Sequence, residues 1–374
     1  MNDSETQPSW DIPDYLASLV PYPPGKPIEE LEREYGIRDI VKLASNENPL
    51  GPSPRAVEAV GNALTHLHRY PDGSAHDLKQ AIAARYGLKP EGIVLGNGSN
   101  ELIELLVRVF VRVGDAVVSS EPSFLVYRKV VQAAGGENVI VPLADLHHDL
   151  TSIARAVTKR TRIIFLDNPN NPTGTVIPPE QFETFLAGLP GDVVVVLDEA
   201  YMEFVDTPSV TVQGVSILGK DPRIVVLRTF SKAYGLAGLR VGYGLMSPDL
   251  ATFLERVRQP FNVNSLAQAG ALAALEDAAH LKATIELTRK AKTYLTESLR
   301  GIGCTVYPSN TNFVLVDVKR DAKMVFEMML RQGVIVRAMG AYGFPTHIRI
   351  TAGLPRENER CVTALEKVLG ILKQ

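Results

Sequence analysis

Apolar residues fall along this chain in two rhythms. Between residues 92 and 230 short unbroken runs recur: Ile93-Val94-Leu95, Ala116 to Ser119, Ile163 to Leu166, Val193 to Leu197 and Ile224 to Leu227. Runs this short, bounded by polar residues, predict strands buried on both faces of a parallel sheet. Strongly apolar helical patterns such as Glu101 to Phe110 lie between them, so strand and helix alternate and the region reads as α/β. Val193 to Leu197 is the most β-branched run and is the expected central strand.

The flanks differ. Helices are predicted at Ile28 to Tyr35, ended by Gly36, at residues 54–66, and at Asp77 to Tyr86, ended by Gly87. From about residue 249 helices dominate, at Leu250 to Val257, Ala267 to Asp277 and Ile285 to Leu299. Three alternating strands follow, Asn312 to Val316, Val334 to Arg337 and His347 to Thr351, in a style that suits a sheet with one solvated face. Arg349 sits between Ile348 and Ile350 and faces away from both, toward solvent or toward a cleft; Arg337 closes its own strand. Near the start, Pro21-Tyr22-Pro23-Pro24-Gly25-Lys26-Pro27 forbids a helix and predicts an extended arm. The first ten residues read equally well as a plain tail.

Chemistry collects where the buried runs end, the edge at which open α/β sheets bind ligands. Ile224 to Leu227 leads into Thr229-Phe230-Ser231-Lys232, with Gly235, Gly238 and Arg240 beyond. Such a lysine suits a covalent amine beside a phosphate site, or a surface loop. Gly96-Asn97-Gly98-Ser99-Asn100 opens a helix whose free N–H groups and dipole suit a phosphate, or is simply a turn. It is not a dinucleotide fingerprint, because Glu101 stands in the third glycine's place. Asp167 to Gly174 is a run of amides and prolines that fixes a polar loop from which Asn168 and Asn171 could meet a ligand. Val193 to Leu197 ends in Asp198-Glu199-Ala200-Tyr201, like the acidic strand of an ATPase. The matching phosphate loop fails, since Asp221 follows Gly214 to Lys220 where Ser or Thr must hold magnesium, and the order is reversed. Phe124 lies just past a strand end, with Tyr127 on the same helical face; such rings are usually core, but one here could stack on a planar ligand.

At 374 residues the chain is long enough for two domains. A net charge of -3 gives no footprint for nucleic acid or an anionic membrane, and the longest aliphatic run, Val193 to Leu197, is too short to span a bilayer. Met1 to Glu5 shows no secretory pattern. Cys304 and Cys361, the two cysteines, allow neither a zinc cluster nor a disulfide framework; no metal is expected, and the usage fits a cytoplasmic protein. Together the strand ends ask for a ligand with a phosphate, an electrophilic carbon for an amine, and a basic ring nitrogen for a carboxylate. Pyridoxal 5'-phosphate has all three.

Across nearly its whole length the chain resembles a fold-type I pyridoxal-phosphate aminotransferase, through Asn171-Pro172-Thr173-Gly174, Asp198-x-x-Tyr201, Ser231-Lys232 and Arg240 in that order. Val20 to Lys26, Lys42 to Gly51 and the downstream arginines narrow this to a resemblance to the histidinol-phosphate aminotransferases. The resemblance implies a large domain with a mostly parallel sheet flanked by helices (46–261), a smaller α+β domain (28–45 and 262–374) and an arm (1–27). It implies that Lys232 binds the cofactor covalently and then moves the proton, with an amine pKa depressed by the cationic cofactor. Asp198 would pair with the ring nitrogen, and Tyr201 and Asn171 would bond the ring oxygen. Phe124 would stack on the ring, while Gly98, Ser99, Asn100, Thr229, Ser231 and Arg240 would hold the phosphate. Tyr70 would reach that phosphate from the partner subunit, making a homodimer with shared sites. Arg349 and Arg337 would grip the phosphate of histidinol phosphate and the carboxylate of 2-oxoglutarate in turn, with Tyr22 and Asn46 on the substrate side.

One departure widens the substrate question. Phe124 stands where many relatives carry tyrosine, and it stacks without hydrogen bonding. The same scaffold serves aromatic amino-acid aminotransferases and decarboxylases of phosphorylated amino acids. A silent cofactor-binding sensor and a nucleotide-binding module are the contrasting classes. The sensor lacks a DNA-binding region, and the module would leave the protein colourless.

Overall fold

The computed structural model describes residues 11–21 and 26–372, so Tyr22 lies outside the described residues. After β1 (Val41–Lys42), seven strands build the main sheet: β2 (Ile93–Gly96), β3 (Ala116–Glu121), β4 (Glu137–Pro142), β5 (Thr161–Asp167), β6 (Val194–Asp198), β7 (Ile224–Thr229) and β8 (Gly242–Leu245). Their order is β2-β8-β7-β6-β5-β3-β4, which puts β6 in the middle. All neighbours are parallel except β8, which runs antiparallel between β2 and β7.

Both faces of this sheet are buried, which explains the unbroken apolar runs. Ile164, Leu166, Val195, Leu197, Ile224 and Val226 enter the core on one face. Ile163, Phe165, Val194, Val196, Val225 and Leu227 enter the core on the other, under the helix Ser99–Phe110. This period of two carries past the apolar residues: Asp167, Asp198 and Thr229 continue the second face, and Arg228 the first.

Five further strands make the smaller unit: β9 (Thr305–Val306), β10 (Phe313–Asp317), β11 (Val334–Ile335), β12 (Arg337–Ala338) and β13 (His347–Thr351). The run expected as one strand at Val334 to Arg337 is divided between two sheets. Val334 and Ile335 pair with β1, whereas Arg337 and Ala338 pair with β13 in the order β12-β13-β10-β9. Arg337 is thereby the direct antiparallel partner of Arg349.

Two elements of the main sheet escape the apolar pattern. Edge strand β4 buries only Val141, and β8 alternates glycine with Tyr243 and Leu245. The helix Ser265–Glu276 packs on Pro54–Ala63, and Val263, Ala267, Ala271 and Leu281 join the main core. The core of the smaller unit begins with Leu295 in the long helix Ala278–Gly301 and also takes Val41 and Leu43. We therefore propose that the units part within this helix, later than residue 262.

Candidate active site

A cavity of about 560 Å³ opens between the C-terminal ends of β5, β6 and β7 and the inner face of β12 and β13. Lys232, three residues past β7, extends its Nζ to the Ser45 carbonyl at 3.1 Å. Part of the side chain faces the open cavity, but the amine lies deep. Burial first, then the Arg349 charge, lower its pKa to about 8, against a smaller upward pull from Glu47. Part of the depression expected from a cationic cofactor is thus already present in the protein alone.

Asp198 ends β6 on the cavity floor. Its Oδ2 accepts the Tyr127 hydroxyl at 2.8 Å, and its Oδ1 accepts the Ala200 N–H at 3.3 Å. Burial raises its pKa to about 7; the Tyr127 bond works against that rise, and the nearby Asp167 adds to it. Tyr201 is pushed up to about 12, chiefly by burial, so it stays a phenol. It accepts the Asn46 amide at 2.8 Å, which leaves its own proton for an acceptor in the cavity.

Asn46 takes the left-handed conformation, φ 55°. Thr351 secures it twice, accepting its N–H at 3.0 Å and donating to its Oδ1 at 3.1 Å. Arg349 donates to Asn171 Oδ1 at 2.5 Å and to the Ala44 carbonyl at 2.8 Å. Among the described residues its Nε is buried without a partner. Arg337 lines the same wall. Two arginines directly opposite on one antiparallel pair repel each other, and an anion between them removes that cost.

At the other end Gly98 caps the helix Ser99–Phe110 with φ 77°, where only glycine is at ease. A Cβ there would lie 2.5 Å from the Arg240 guanidinium, so glycine lets that cation reach the helix tip. Ser99, Asn100, Thr229, Ser231 and Arg240 all line this end, and Thr229 Oγ1 accepts the Ser231 N–H at 3.0 Å. Phe124 forms one wall and meets the Tyr127 ring edge-on at 5.6 Å.

Asn168 does not reach the cavity. It donates to Thr211 and Val212 and accepts the Ile177 N–H, fixing the loop from inside. Tyr70 lies on the surface, 83% exposed and stacked on Phe261 at 4.8 Å. Tyr127, expected as a core or stacking ring, instead bonds Asp198; Asp167 in the cavity lining and Thr351, which fixes Asn46, were not expected at the site. Only the first two carried a signal, a ring three residues after Phe124 and an acid heading a polar loop.

The chain matches the family of class I and II aminotransferases over residues 38–365. It belongs to that family. It is 52% identical over 365 residues to the histidinol-phosphate aminotransferase of Desulfotalea psychrophila, covering 96% of this chain and 95% of that one. The corresponding enzyme of an Anaeromyxobacter species is 50% identical over 361 residues, covering 96% and 99%. Among solved structures, histidinol-phosphate aminotransferase from Sinorhizobium meliloti in complex with pyridoxal-5'-phosphate superposes with a TM-score of 0.90. It is 32% identical and covers 97% of this aminotransferase and 98% of its own chain.

The residues present fit that cofactor. Among the described residues no cation is bonded to the buried acid Asp198, the amine of Lys232, lowered in basicity, lines the same cavity, and a glycine-capped helix tip with an arginine closes the end. Among the described residues no cluster of His, Cys, Asp and Glu could hold a metal, and no helix is long and apolar enough to cross a membrane.

Proposed function

We propose that this aminotransferase, with pyridoxal 5'-phosphate bound, transfers the amino group of L-histidinol phosphate to 2-oxoglutarate, giving imidazole acetol phosphate and glutamate. The observation that carries the reading is one cavity with Lys232 near pKa 8, Asp198 near 7, and cations at both ends. The bound cofactor supplies an electron sink for the carbon that loses its proton.

The chain's own residues do the rest. Lys232 would hold the cofactor, and its Nζ, once free, would take the proton from one substrate carbon and return it at another. Asp198 would hold the ring nitrogen, Tyr201 and Asn171 the ring oxygen, and Phe124 the ring face. Ser99, Asn100, Thr229, Ser231 and Arg240, with the helix tip behind Gly98, would hold the cofactor phosphate. Arg337 and Arg349 line one space, and two guanidinium groups there suit a phosphate ester in one half-reaction and a carboxylate in the other. Asn46 shapes this side through Tyr201.

A homodimer in the cytoplasm belongs to the same proposal. Val57, Leu64, Leu67, Tyr70 and Phe261 are all exposed, an apolar face that a second copy would cover. Mixing Lys232→Ala with Tyr70→Ala subunits then regenerates activity, because one site of each mixed dimer is intact; no regain refutes sharing.

Substrate choice is tested by kcat/KM for imidazole acetol phosphate against phenylpyruvate. We expect a preference of about 10⁴-fold or more for the former, the scale on which a site whose buried polar groups are left unpaired rejects a ligand. A preference for phenylpyruvate, or release of carbon dioxide, refutes the assignment.

A further inference from the structure

Asp198 has a second carboxylate beside it. Asp167 is its register partner on β5, strands lie about 4.8 Å apart, and both residues line the cavity. Asp167 accepts at both oxygens. Oδ1 takes the Ser123 hydroxyl at 2.6 Å and the Asn170 amide at 3.0 Å, and Oδ2 takes the Asn171 backbone N–H at 2.8 Å. The His148 ring closes behind it, with Nε2 3.3 Å from Oδ1.

Tyr127 approaches Asp198 from the helix Val126–Ala133. Its ring is fully buried and stacked on Phe165 at 4.6 Å and 2°, so the hydroxyl is held in place. The titratable groups around Asp198 are thus Tyr127 from that helix, Asp167 from β5 with His148 behind it, and Glu199 and Tyr201 from its own strand end. Lys232 and Arg349 stand on the cavity wall.

We propose that Tyr127 and Asp167 are positioning residues that set, in opposite directions, how tightly Asp198 holds a proton against the cofactor ring. The inference rests on the functional reading above. A donated hydroxyl favours a carboxylate's charged form, and a neighbouring carboxylate disfavours it. Burial gives Asp198 its largest upward push, and these two residues act on what remains. Asp167 also ties the two ends of the chemistry together. It holds the backbone of Asn171, whose side chain accepts from Arg349 at 2.5 Å.

The test is the pH dependence of pyridoxamine 5'-phosphate binding to the full-length apoprotein, followed by fluorescence. This probe cannot condense with Lys232, and its ring nitrogen meets Asp198. Affinity breaks where Asp198 ionises. Tyr127→Phe moves the break to higher pH and Asp167→Asn to lower pH, each changing relative affinity near the break about threefold or more. The double variant returns toward the native profile. A purely structural role weakens binding at every pH and leaves the break in place, and that result overturns the proposal. So does movement of both breaks in one direction. If Asp167→Asn does not fold, the direction seen in Tyr127→Phe alone decides. If the native protein fails to bind the probe at any pH, the functional reading itself falls.

Discussion

Asp198 and Glu199 are neighbours in sequence and turn to opposite faces of the main sheet, into two buried clusters of charge. Glu199 meets Arg228, which donates from Nε at 2.8 Å and from Nη2 at 2.7 Å to the same Oε2, while Glu199 Oε1 accepts the Gly214 N–H at 2.6 Å. Glu203 takes the remaining arm of Arg228 at 3.1 Å. Burial works against the charge on Arg228, and Glu199 and Glu203 more than restore it, holding its pKa well above the ordinary value. Across the sheet, Asp198 has a phenol instead of a cation, and Lys232 has a carbonyl instead of an anion. The first cluster is complete without a ligand. The second lacks the counter-charges that a cationic ring and an electrophile would bring, and such incomplete charge marks a functional site.

Substitutions at the two clusters should have opposite signatures. Lys232→Ala should cost about 10⁴-fold or more in turnover, since it removes both nucleophile and proton carrier, while chemical denaturation shows the fold retained. Borohydride fixation of a pyridoxyl group on that residue is the companion measurement; absence of the adduct from the native protein would refute the role of Lys232. Arg228→Met should destabilise by about 3–5 kcal/mol in denaturant melts, because it strands two buried acids. A loss under 1 kcal/mol would mean that the cluster is wetter than its burial implies.

Asp198→Asn should do the reverse of Arg228→Met. The folded state raises this acid's pKa from the usual 3.8 to about 7, so it binds a proton that the unfolded chain releases. Apoprotein stability therefore falls as pH rises from the ordinary carboxylate range through 7, and the cost is full above that. Removing the charge should stabilise the apoprotein above pH 7 by roughly 2–4 kcal/mol, with little effect near pH 4, while activity is lost. A destabilised variant at pH 8 would show that the acid is already compensated. The smallest effect is expected at Tyr234→Phe, near the Arg228 cluster. Its hydroxyl is buried without a partner among the described residues, so the change should lie within about 1 kcal/mol of neutral or be stabilising. A larger loss would reveal a bonded water.

Much of the site's composition is legible in the sequence. The run Ile224 to Leu227 is buried on both faces, so Thr229 to Lys232 had to emerge at a strand end, and the same reasoning placed Asp198 and Asn171. Strands without that rhythm were not legible. Gly242 in β8 is glycine because a Cβ would lie 2.5 Å from the Ser99 nitrogen, a demand of packing that erases the apolar signal. Asn168 and Asn171 look alike in the sequence, and only the fold turns one inward to Thr211 and the other to Arg349.

Local order in this chain, meaning which segments are strands, where they end and which reactive groups stand there, follows from side-chain periodicity and turn chemistry over a few residues. Those forces act between near neighbours and can be read in one dimension. The pairing of Arg337 with Arg349, the hold of Thr351 on Asn46, and the placing of Tyr127 and Asp167 around Asp198 were decided by the tertiary structure alone. The last two join segments far apart in the chain, the first depends on where the run Val334 to Arg337 is split between two sheets, and the basicity of Lys232 and the acidity of Asp198 depend on how much water their combined packing excludes.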